Sequence, residues 1–303
     1  MGRAPRQLKL TGVFAAAVTP CRPGTLDADH AGLLDLMDFL ADGGVDGICL
    51  MGSTGEFVNF SFDDRQRAVH LASKRSRVPI VAGVAHSSLT GALRLAAEAI
   101  GAGADGLLLM PPYFFPYAQP EIEAFYRAFM AELGPTVPVL LYNIPQFTSP
   151  IRIETAERLL DTGLFAGIKD SSGDWAYFEQ LLALRRDREF ALFAGNDRIA
   201  LQALRGGADG VLSGCASAIP EVLSQLCRAH VAGDAALADA VHGRLMEFVN
   251  RIERFPVPVG IKRAVQLRRQ KSGEPSVPLG PETALALDEF GSWFGAWIAS
   301  AAR

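Results

Sequence analysis

The chain has 303 residues, of which 49% are hydrophobic and 20% are charged, an ordinary composition for a globular protein. Its formal charge of −4 argues against nucleic acid and against an anionic membrane surface as partners. The basic start MGRAPRQLKLTG has no apolar segment behind it, and no apolar run approaches the ~18 residues of a membrane span, so neither a secretory signal nor a transmembrane helix is predicted.

Eight short apolar runs follow one another along the first 213 residues, each ending at a polar residue, a glycine or a proline. They are residues 13–18, 47–51, 80–84, 106–110, 139–142, 165–169, 191–194 and 210–213. Runs that are apolar on both faces are typical of strands buried in a parallel sheet. Amphipathic helical stretches lie between them, among them 31–40, 89–100, 120–133, 153–160 and 199–204. This alternation predicts an α/β protein, an eight-stranded parallel β/α (TIM) barrel over residues 1–219.

About ninety residues remain after the eighth strand, more than one closing helix needs. Helical patterns cover 220–229, 235–255, 259–271 and 281–301, and a Pro/Gly-rich turn precedes the last of them. We therefore expect residues 220–303 to form a helical extension packed on the barrel.

A short motif recurs before three of the strands: GGVDG at 43–47, and GADG at 103–106 and at 207–210. Glycine at such a place can end a helix in the left-handed conformation and turn the chain into the next strand. The motif therefore predicts three helix-to-strand turns of one kind, as a β/α barrel requires.

The cysteines and histidines give no sign of a metal site. Cys21, Cys49, Cys215 and Cys227 lie far apart and form no C-x-x-C pair, and the five histidines show no ligand spacing. We expect reduced and mostly buried thiols, a cytoplasmic protein, and no metal.

Lysine is scarce in this chain, which contains only Lys9, Lys74, Lys169, Lys262 and Lys271. Four of them lie in the N-terminal arm or on predicted helices, where a solvated ammonium group is the default. Lys169 alone follows an apolar strand, so it should point into the mouth of the barrel, where the active sites of this fold lie. A desolvated amine there can attack a ketone. A lysine paired with Asp170 or Asp197 is equally compatible with this position.

Two further segments at strand ends could take part in the same chemistry. Tyr142 ends the preceding strand, so its phenol could pass protons beside Lys169, although it could also simply cap the core. GSTGE at 52–56 is a small-residue loop whose hydroxyls and amides suit an anion, either a carboxylate or a phosphate. Many strand-to-helix loops share that composition.

An aromatic run follows the fourth strand: Tyr113, Phe114 and Phe115, with Tyr117 close behind. Large apolar patches rarely stay exposed in monomers. We therefore favour a subunit contact over a ligand-binding role for this run.

Together these segments resemble the dihydrodipicolinate synthase and N-acetylneuraminate lyase family. The motifs that carry the resemblance are GSTGE at 52–56, YNIP at 142–145, GIKDSSGD at 167–174, GND at 195–197, GVLS at 210–213 and PVGIK at 258–262. They occur in the family's order from about residue 12 to the end of the chain.

The resemblance implies a class I pyruvate-dependent aldolase. Lys169 would form a Schiff base with pyruvate or with a 2-oxo acid that contains it, and Tyr142 would relay protons. Ser53 and Thr54 would bind the carboxylate, while the backbone at Leu212 would face the site. No metal or organic cofactor is implied, and the expected assembly is a homotetramer, a dimer of tight dimers with the aromatic run at the tight interface.

Two positions depart from the synthases. Phe147 stands where their motif has an arginine for the second substrate's carboxylate, and Phe114 stands where they have the interface tyrosine of the proton relay. Both changes weigh against dihydrodipicolinate synthesis and favour cleavage of a 2-oxo-3-deoxy sugar acid. Dehydration of the same substrate class and a non-catalytic relative are the alternatives. Specificity is expected from Phe147 and its neighbours and from further residues at the strand ends: Phe114, Gln146, Thr148, Ser171, Ser172, Asn196 and Ser213.

Overall fold

Eight parallel strands close into a barrel in the computed structural model, which describes residues 8–134 and 137–301. Each strand pairs with the next one along the chain, and β8 pairs with β1. The strands are β1 Gly12–Ala16, β2 Gly47–Leu50, β3 Ile80–Gly83, β4 Gly106–Leu109, β5 Val139–Asn143, β6 Gly167–Asp170, β7 Ala191–Ala194 and β8 Gly210–Ser213. The predicted barrel is confirmed, while most of the basic start, residues 1–7, lies outside the described part of the chain.

Helices follow the strands around the barrel. They are α1 His30–Asp42, α2 Phe62–Arg75, α3 Leu89–Ala102, α4 Gln119–Leu133, α5 Ile153–Leu160, α6 Trp175–Leu184, α7 Ala200–Gly206 and α8 Pro220–Val231. Three more helices complete the C-terminal part: α9 Ala235–Ile252, α10 Val259–Leu267 and α11 Pro281–Ala301.

Several apolar runs extend beyond the strands that they contain. The first strand was predicted over 13–18 but ends at Ala16, although the two residues after it are buried. The amide of Ala17 still bonds the carbonyl of Cys49, at 3.0 Å, whereas the amide of Val18 bonds the hydroxyl of Ser217. Burial therefore continues past the ladder, and apolarity alone marks strand ends only approximately.

Side chains fill the inside of the barrel. Phe14 from β1 and Phe193 from β7 meet edge to face, with their ring centroids 5.3 Å apart. A Cβ atom on Gly47 would lie 2.2 Å from the ring of Phe14, so glycine at that position makes room for it. The interior is therefore a packed core, and a ligand can reach only its mouth.

The motif that recurs as GGVDG and twice as GADG has a structural role at the opposite end of the strands. Asp46, Asp105 and Asp209 each precede a strand and accept a hydrogen bond from a backbone N–H of the strand before it. The donors are Val13 at 2.8 Å, Ile80 at 2.8 Å and Leu192 at 2.8 Å, respectively. Each aspartate therefore joins two neighbouring strands at the base of the barrel.

The C-terminal helices pack through an aromatic cluster. Phe248 of α9 contacts Phe290, Phe294 and Trp297 of α11, with ring centroids 5.6–6.2 Å apart. Helix α8 contacts β1 and α7 as well as α9, so it belongs to the ring around the barrel as much as to the extension. The division of the chain at residue 219 remains a proposal.

Two of these helices are shorter than predicted. Helix α9 ends at Ile252, before the expected 255, and prolines at 256 and 258 prevent its continuation. Helix α10 ends at Leu267 and not at 271, close to Arg269, whose φ is +61°. Within the described ranges, no helix combines the length and the apolarity that crossing a bilayer requires.

Candidate active site

A cavity of about 230 Å³ opens at the carboxyl ends of the strands, where the fold places active sites. The predicted site residues among those that line it are Ser53, Thr54, Tyr142, Gln146, Phe147, Lys169, Ser171 and Asn196. Segments up to 143 residues apart in the chain therefore meet at one place.

Lys169 lies on β6 between Tyr142 of β5 and Phe193 of β7 in the barrel register. Its side chain lines the cavity although the residue is only 4% exposed. Alternation along the strand sends Asp170 to the other face, where it accepts hydrogen bonds from Asn143 Nδ2 and Ser172 Oγ, both at 2.7 Å.

No ion pair between Lys169 and a carboxylate occurs in the described part of the chain. The lysine is therefore not the partner of Asp170. Asp197 accepts its hydrogen bond from the hydroxyl of Ser213. Burial raises the pKa of the Asp197 carboxyl, while hydrogen bonds from Ser213 and Cys215 and the charge of Lys169 lower it.

Tyr142 contacts both the lysine and the GSTGE loop. The Lys169 Nζ atom lies 4.1 Å from the centroid of its ring, within the range of a cation–π interaction. Its hydroxyl is 3.0 Å from Ser53 Oγ. The phenol thus has a polar partner that lines the cavity. A tyrosine that only capped the core would not need such a partner.

The GSTGE loop follows β2 with two residues in the left-handed conformation, Met51 at φ +56° and Glu56 at φ +52°. Thr19 Oγ1 donates to the carbonyl of Gly55 at 2.7 Å, and the amide of Glu56 donates to the carbonyl of Ser53 at 3.0 Å. These bonds hold the loop in a tight turn whose hydroxyls line the cavity, a geometry suited to a carboxylate.

Gly195 leaves space for the side chain of Lys169. A Cβ atom at this position would lie 2.5 Å from Lys169 Cε and 2.1 Å from Ser171 Oγ. Any other residue would displace one of these groups. Ser171 Oγ is itself buried and has no hydrogen-bond partner among the residues described.

The remaining predicted residues occupy different places. Phe147 lines both the lysine cavity and a neighbouring cavity of about 370 Å³, and Phe114 lines the neighbouring cavity only. Phe114 is 86% exposed and has a φ of +83°. Leu212 is buried beside Phe14 in the barrel, and its side chain is not among the cavity-lining groups.

One prediction about the lysines is wrong. Lys262 was expected to be a solvated residue on a helix, but it is 2% exposed and its Nζ lies 2.7 Å from Glu56 Oε2. Helix α10 packs against the barrel and carries this ammonium group to the GSTGE loop. The PVGIK motif pointed to the segment, although the identity of its partner is a tertiary contact.

Groups of three or more histidine, cysteine or carboxylate side chains that could hold a metal ion do not occur in residues 8–134 and 137–301. The four cysteines are buried and free. Cys49 lies within electrostatic range of Lys169, and burial raises the pKa of its thiol to about 11.

The barrel and its relatives define the class of the protein, a lyase of the class I aldolase type. More narrowly, the chain belongs to the dihydrodipicolinate synthetase family, whose sequence profile matches residues 9–293. The family that the motifs predicted is thereby confirmed.

The chain is similar over most of its length to two synthases and to an aldolase. The chain is 31% identical over 274 residues to the 4-hydroxy-tetrahydrodipicolinate synthase of Methanothrix thermoacetophila, covering 89% of this chain and 91% of that protein. The synthase of the same name from Methylacidiphilum fumariolicum SolV superposes with a TM-score of 0.86 at 28% identity, over 96% and 98% of the two chains. The 2-keto 3-deoxygluconate aldolase of Picrophilus torridus gives a TM-score of 0.83 at 26% identity, over 89% and 98%.

Proposed function

We propose that Lys169 forms a Schiff base with the 2-oxo group of its substrate. The observation that carries this proposal is the convergence of Lys169, Tyr142 and Ser53, with Tyr142 in contact with both of the others. The neutral amine attacks the carbonyl carbon, and loss of water leaves an imine. Ser53 and Thr54 bind the carboxylate next to that carbon, which fixes the orientation of the substrate.

Carbon–carbon cleavage then follows from the imine. Tyr142 removes the proton of the hydroxyl on C4, the bond between C3 and C4 breaks, and its electron pair flows into the protonated imine as an enamine. The released C4 fragment leaves as an aldehyde. Protonation of the enamine at C3 and hydrolysis of the resulting imine release pyruvate and restore Lys169.

A 2-oxo-3-deoxy sugar acid is the substrate class that we propose. Phe147 cannot make the bidentate contact that an arginine makes with a second carboxylate, and Phe114 has no hydroxyl to relay a proton. Asn196 lines the cavity, where its side-chain amide can meet a hydroxyl group of a sugar chain. The resemblance to a 2-keto 3-deoxygluconate aldolase supports the same class.

Borohydride trapping tests the covalent step. We expect one pyruvate-derived reduced adduct per subunit, located on Lys169 by peptide mass spectrometry. The variant Lys169→Met should take no label, while Lys74→Met, which changes a lysine of helix α2, should be labelled like the wild type. An adduct on Lys262, or no adduct, would contradict the mechanism.

A dehydratase would use the same imine but expel a hydroxyl group as water, and a non-catalytic relative would release nothing. Incubation with a panel of 2-oxo-3-deoxy acids separates these readings. Mass spectrometry should detect pyruvate and an aldehyde from at least one member. A product that has lost only water would identify a dehydratase, and efficient condensation of pyruvate with aspartate semialdehyde would restore the synthase assignment.

We also propose a homotetrameric assembly, a dimer of tight dimers, with the exposed aromatic run at the tight contact. The exposure of Phe114 and Phe115 supports it. A cytoplasmic location is proposed as well, supported by four free and buried thiols.

A further inference from the structure

A buried ion pair joins the C-terminal extension to the GSTGE loop. Lys262 Nζ of α10 lies 2.7 Å from Glu56 Oε2, across 206 residues of sequence. The two residues are 2% and 7% exposed, and all the other ion pairs in the described ranges lie nearer the surface. Buried charges are costly unless they are held in good geometry, so an arrangement that left either charge buried without the other would be strongly disfavoured.

Lys262 is held from several sides. Its ammonium group also donates to the carbonyl of Glu274 at 3.1 Å, and its own carbonyl accepts the hydroxyl of Ser272 at 2.9 Å. Residues after α10 therefore bind both the backbone and the side chain of this lysine. The ammonium group thus has two acceptors, the Glu56 carboxylate and the Glu274 carbonyl.

Glu56, the partner of Lys262, has a backbone conformation on which the shape of the GSTGE loop depends. It is not a glycine, yet its φ of +52° lies in the left-handed region, which costs conformational energy. Its amide closes the turn on the carbonyl of Ser53 at 3.0 Å. The hydroxyl of Ser53 in turn contacts Tyr142, so the conformation of Glu56 is connected to the cavity by two successive contacts.

We infer that Glu56 and Lys262 are positioning residues, through which the C-terminal extension holds the GSTGE loop in the shape that binds the substrate carboxylate. The inference rests on the proposed function of that loop. Neither residue acts on the reacting atoms. Their contribution is to keep Ser53 and Thr54 ordered before the ligand arrives, which reduces the entropy lost on binding.

The test compares pyruvate dependence with stability. In Glu56→Gln and in Lys262→Met, the pyruvate concentration that gives half-maximal borohydride labelling should rise about tenfold or more, while labelling at saturating pyruvate remains complete. Glu221→Gln is the matched control, because Glu221 forms the ion pair with Arg268 just after the same helix, at 2.6 Å. It should leave the half-saturating concentration unchanged.

A double variant separates positioning from folding. Glu56→Leu with Lys262→Met leaves no unpaired buried charge, so its melting temperature should return toward the wild-type value. Its half-saturating pyruvate concentration should stay raised. If it returns to the wild-type value as well, or if the single variants lose stability without any change in pyruvate dependence, the pair is merely structural and the inference fails.

Amide hydrogen exchange supplies a readout that needs no pyruvate. Exchange at residues 53–56 should be faster in Glu56→Gln and in the double variant than in the wild type and in Glu221→Gln. Equal exchange in all four proteins would overturn the inference. A wild-type protein that takes no label in the trapping experiment would overturn the proposed function. The exchange measurement does not depend on labelling, so it tests the role of the ion pair separately from the proposed function.

Discussion

At the scale of single residues, Tyr142 connects the other site groups. Its ring lies beside the Lys169 ammonium and its hydroxyl contacts Ser53, so one side chain contacts both the amine and the proposed carboxylate site. A proton relay between the imine and the substrate hydroxyl requires a group in this place. The ring and the hydroxyl can be tested separately, because phenylalanine keeps the first and removes the second.

Tyr142→Phe should lower turnover by roughly 10²–10⁴-fold, the usual contribution of a general acid–base group. Turnover is measured as pyruvate release from the substrate that the panel identifies. Tyr177→Phe is the control, since it removes a hydroxyl that donates to the Ile151 carbonyl, at 2.7 Å, away from the cavity. It should keep its turnover. A Tyr142→Phe enzyme with wild-type turnover would remove the phenol from the relay.

Asp170 gives a prediction about pH. Burial raises the pKa of its carboxyl, against the lowering effect of hydrogen bonds from Ser172 and Asn143. The folded protein therefore keeps this proton to higher pH than the unfolded chain, whose carboxyl has a pKa of about 3.9. Its contribution to stability is complete below that value and declines as the pH rises through the raised pKa.

In Asp170→Asn this pH-dependent term is absent. The free energy of unfolding of the wild type, relative to that of the variant, should therefore fall as the pH rises from about 4 to 7. Urea denaturation at several pH values measures the difference. A difference that stays constant, or that moves in favour of the wild type, would contradict the assignment.

At the scale of secondary-structure elements, the three aspartates of the recurring motif explain how neighbouring strands stay in register. Each aspartate accepts the N–H group of a residue that lies 17 to 33 positions earlier in the chain. Parallel strands have no hairpin to align them, so a side chain at the helix-to-strand turn supplies a specific contact between neighbours. The motif is therefore a structural feature of the barrel base.

Asp105→Ala should lower the free energy of unfolding by about 1–3 kcal/mol, because it leaves the buried N–H of Ile80 without this acceptor. Chemical denaturation measures the change. Asp42→Ala removes a carboxylate that pairs with Arg77 on the surface, and we expect little effect from it. Equal losses in the two variants would argue against a specific role for the motif.

At the scale of the whole molecule, the aromatic run exposes apolar side chains that the fold of one chain does not cover. Phe114 and Phe115 are 86% and 62% exposed, and their rings pack on each other with centroids 4.9 Å apart. Two phenylalanines side by side on a surface support the proposed contact between subunits. The neighbouring cavity of about 370 Å³ is partly lined by Phe114, so a second subunit placed there would also border that cavity.

Replacing both rings, in Phe114→Ser with Phe115→Ser, should shift the protein to a smaller species in sedimentation velocity, with about half the mass if one of two interface types is lost. Val231→Ser changes a residue that is also 86% exposed, at the end of α8, and should not alter the assembly. An unchanged mass in the double variant would place the subunit contact elsewhere.

The sequence by itself determined the barrel and the position of its lysine. Strands that are apolar on both faces alternate with amphipathic helices, and this pattern is local, so it can be recognised without knowledge of any tertiary contact. A lysine at the end of such a strand must lie near the mouth of the barrel. The motifs around it then identified the family and placed Tyr142 and Ser53 at the same end.

Only the tertiary structure decided which distant groups meet. Lys262 resembles an ordinary helical lysine in sequence, but the docking of α10 buries it against Glu56, 206 residues away. The same holds for Asp105 and its acceptance of the Ile80 N–H. Such pairings depend on where whole elements pack, and local hydrophobic periodicity contains no information about that. Local patterns thus predict burial and direction, and tertiary packing selects the partners.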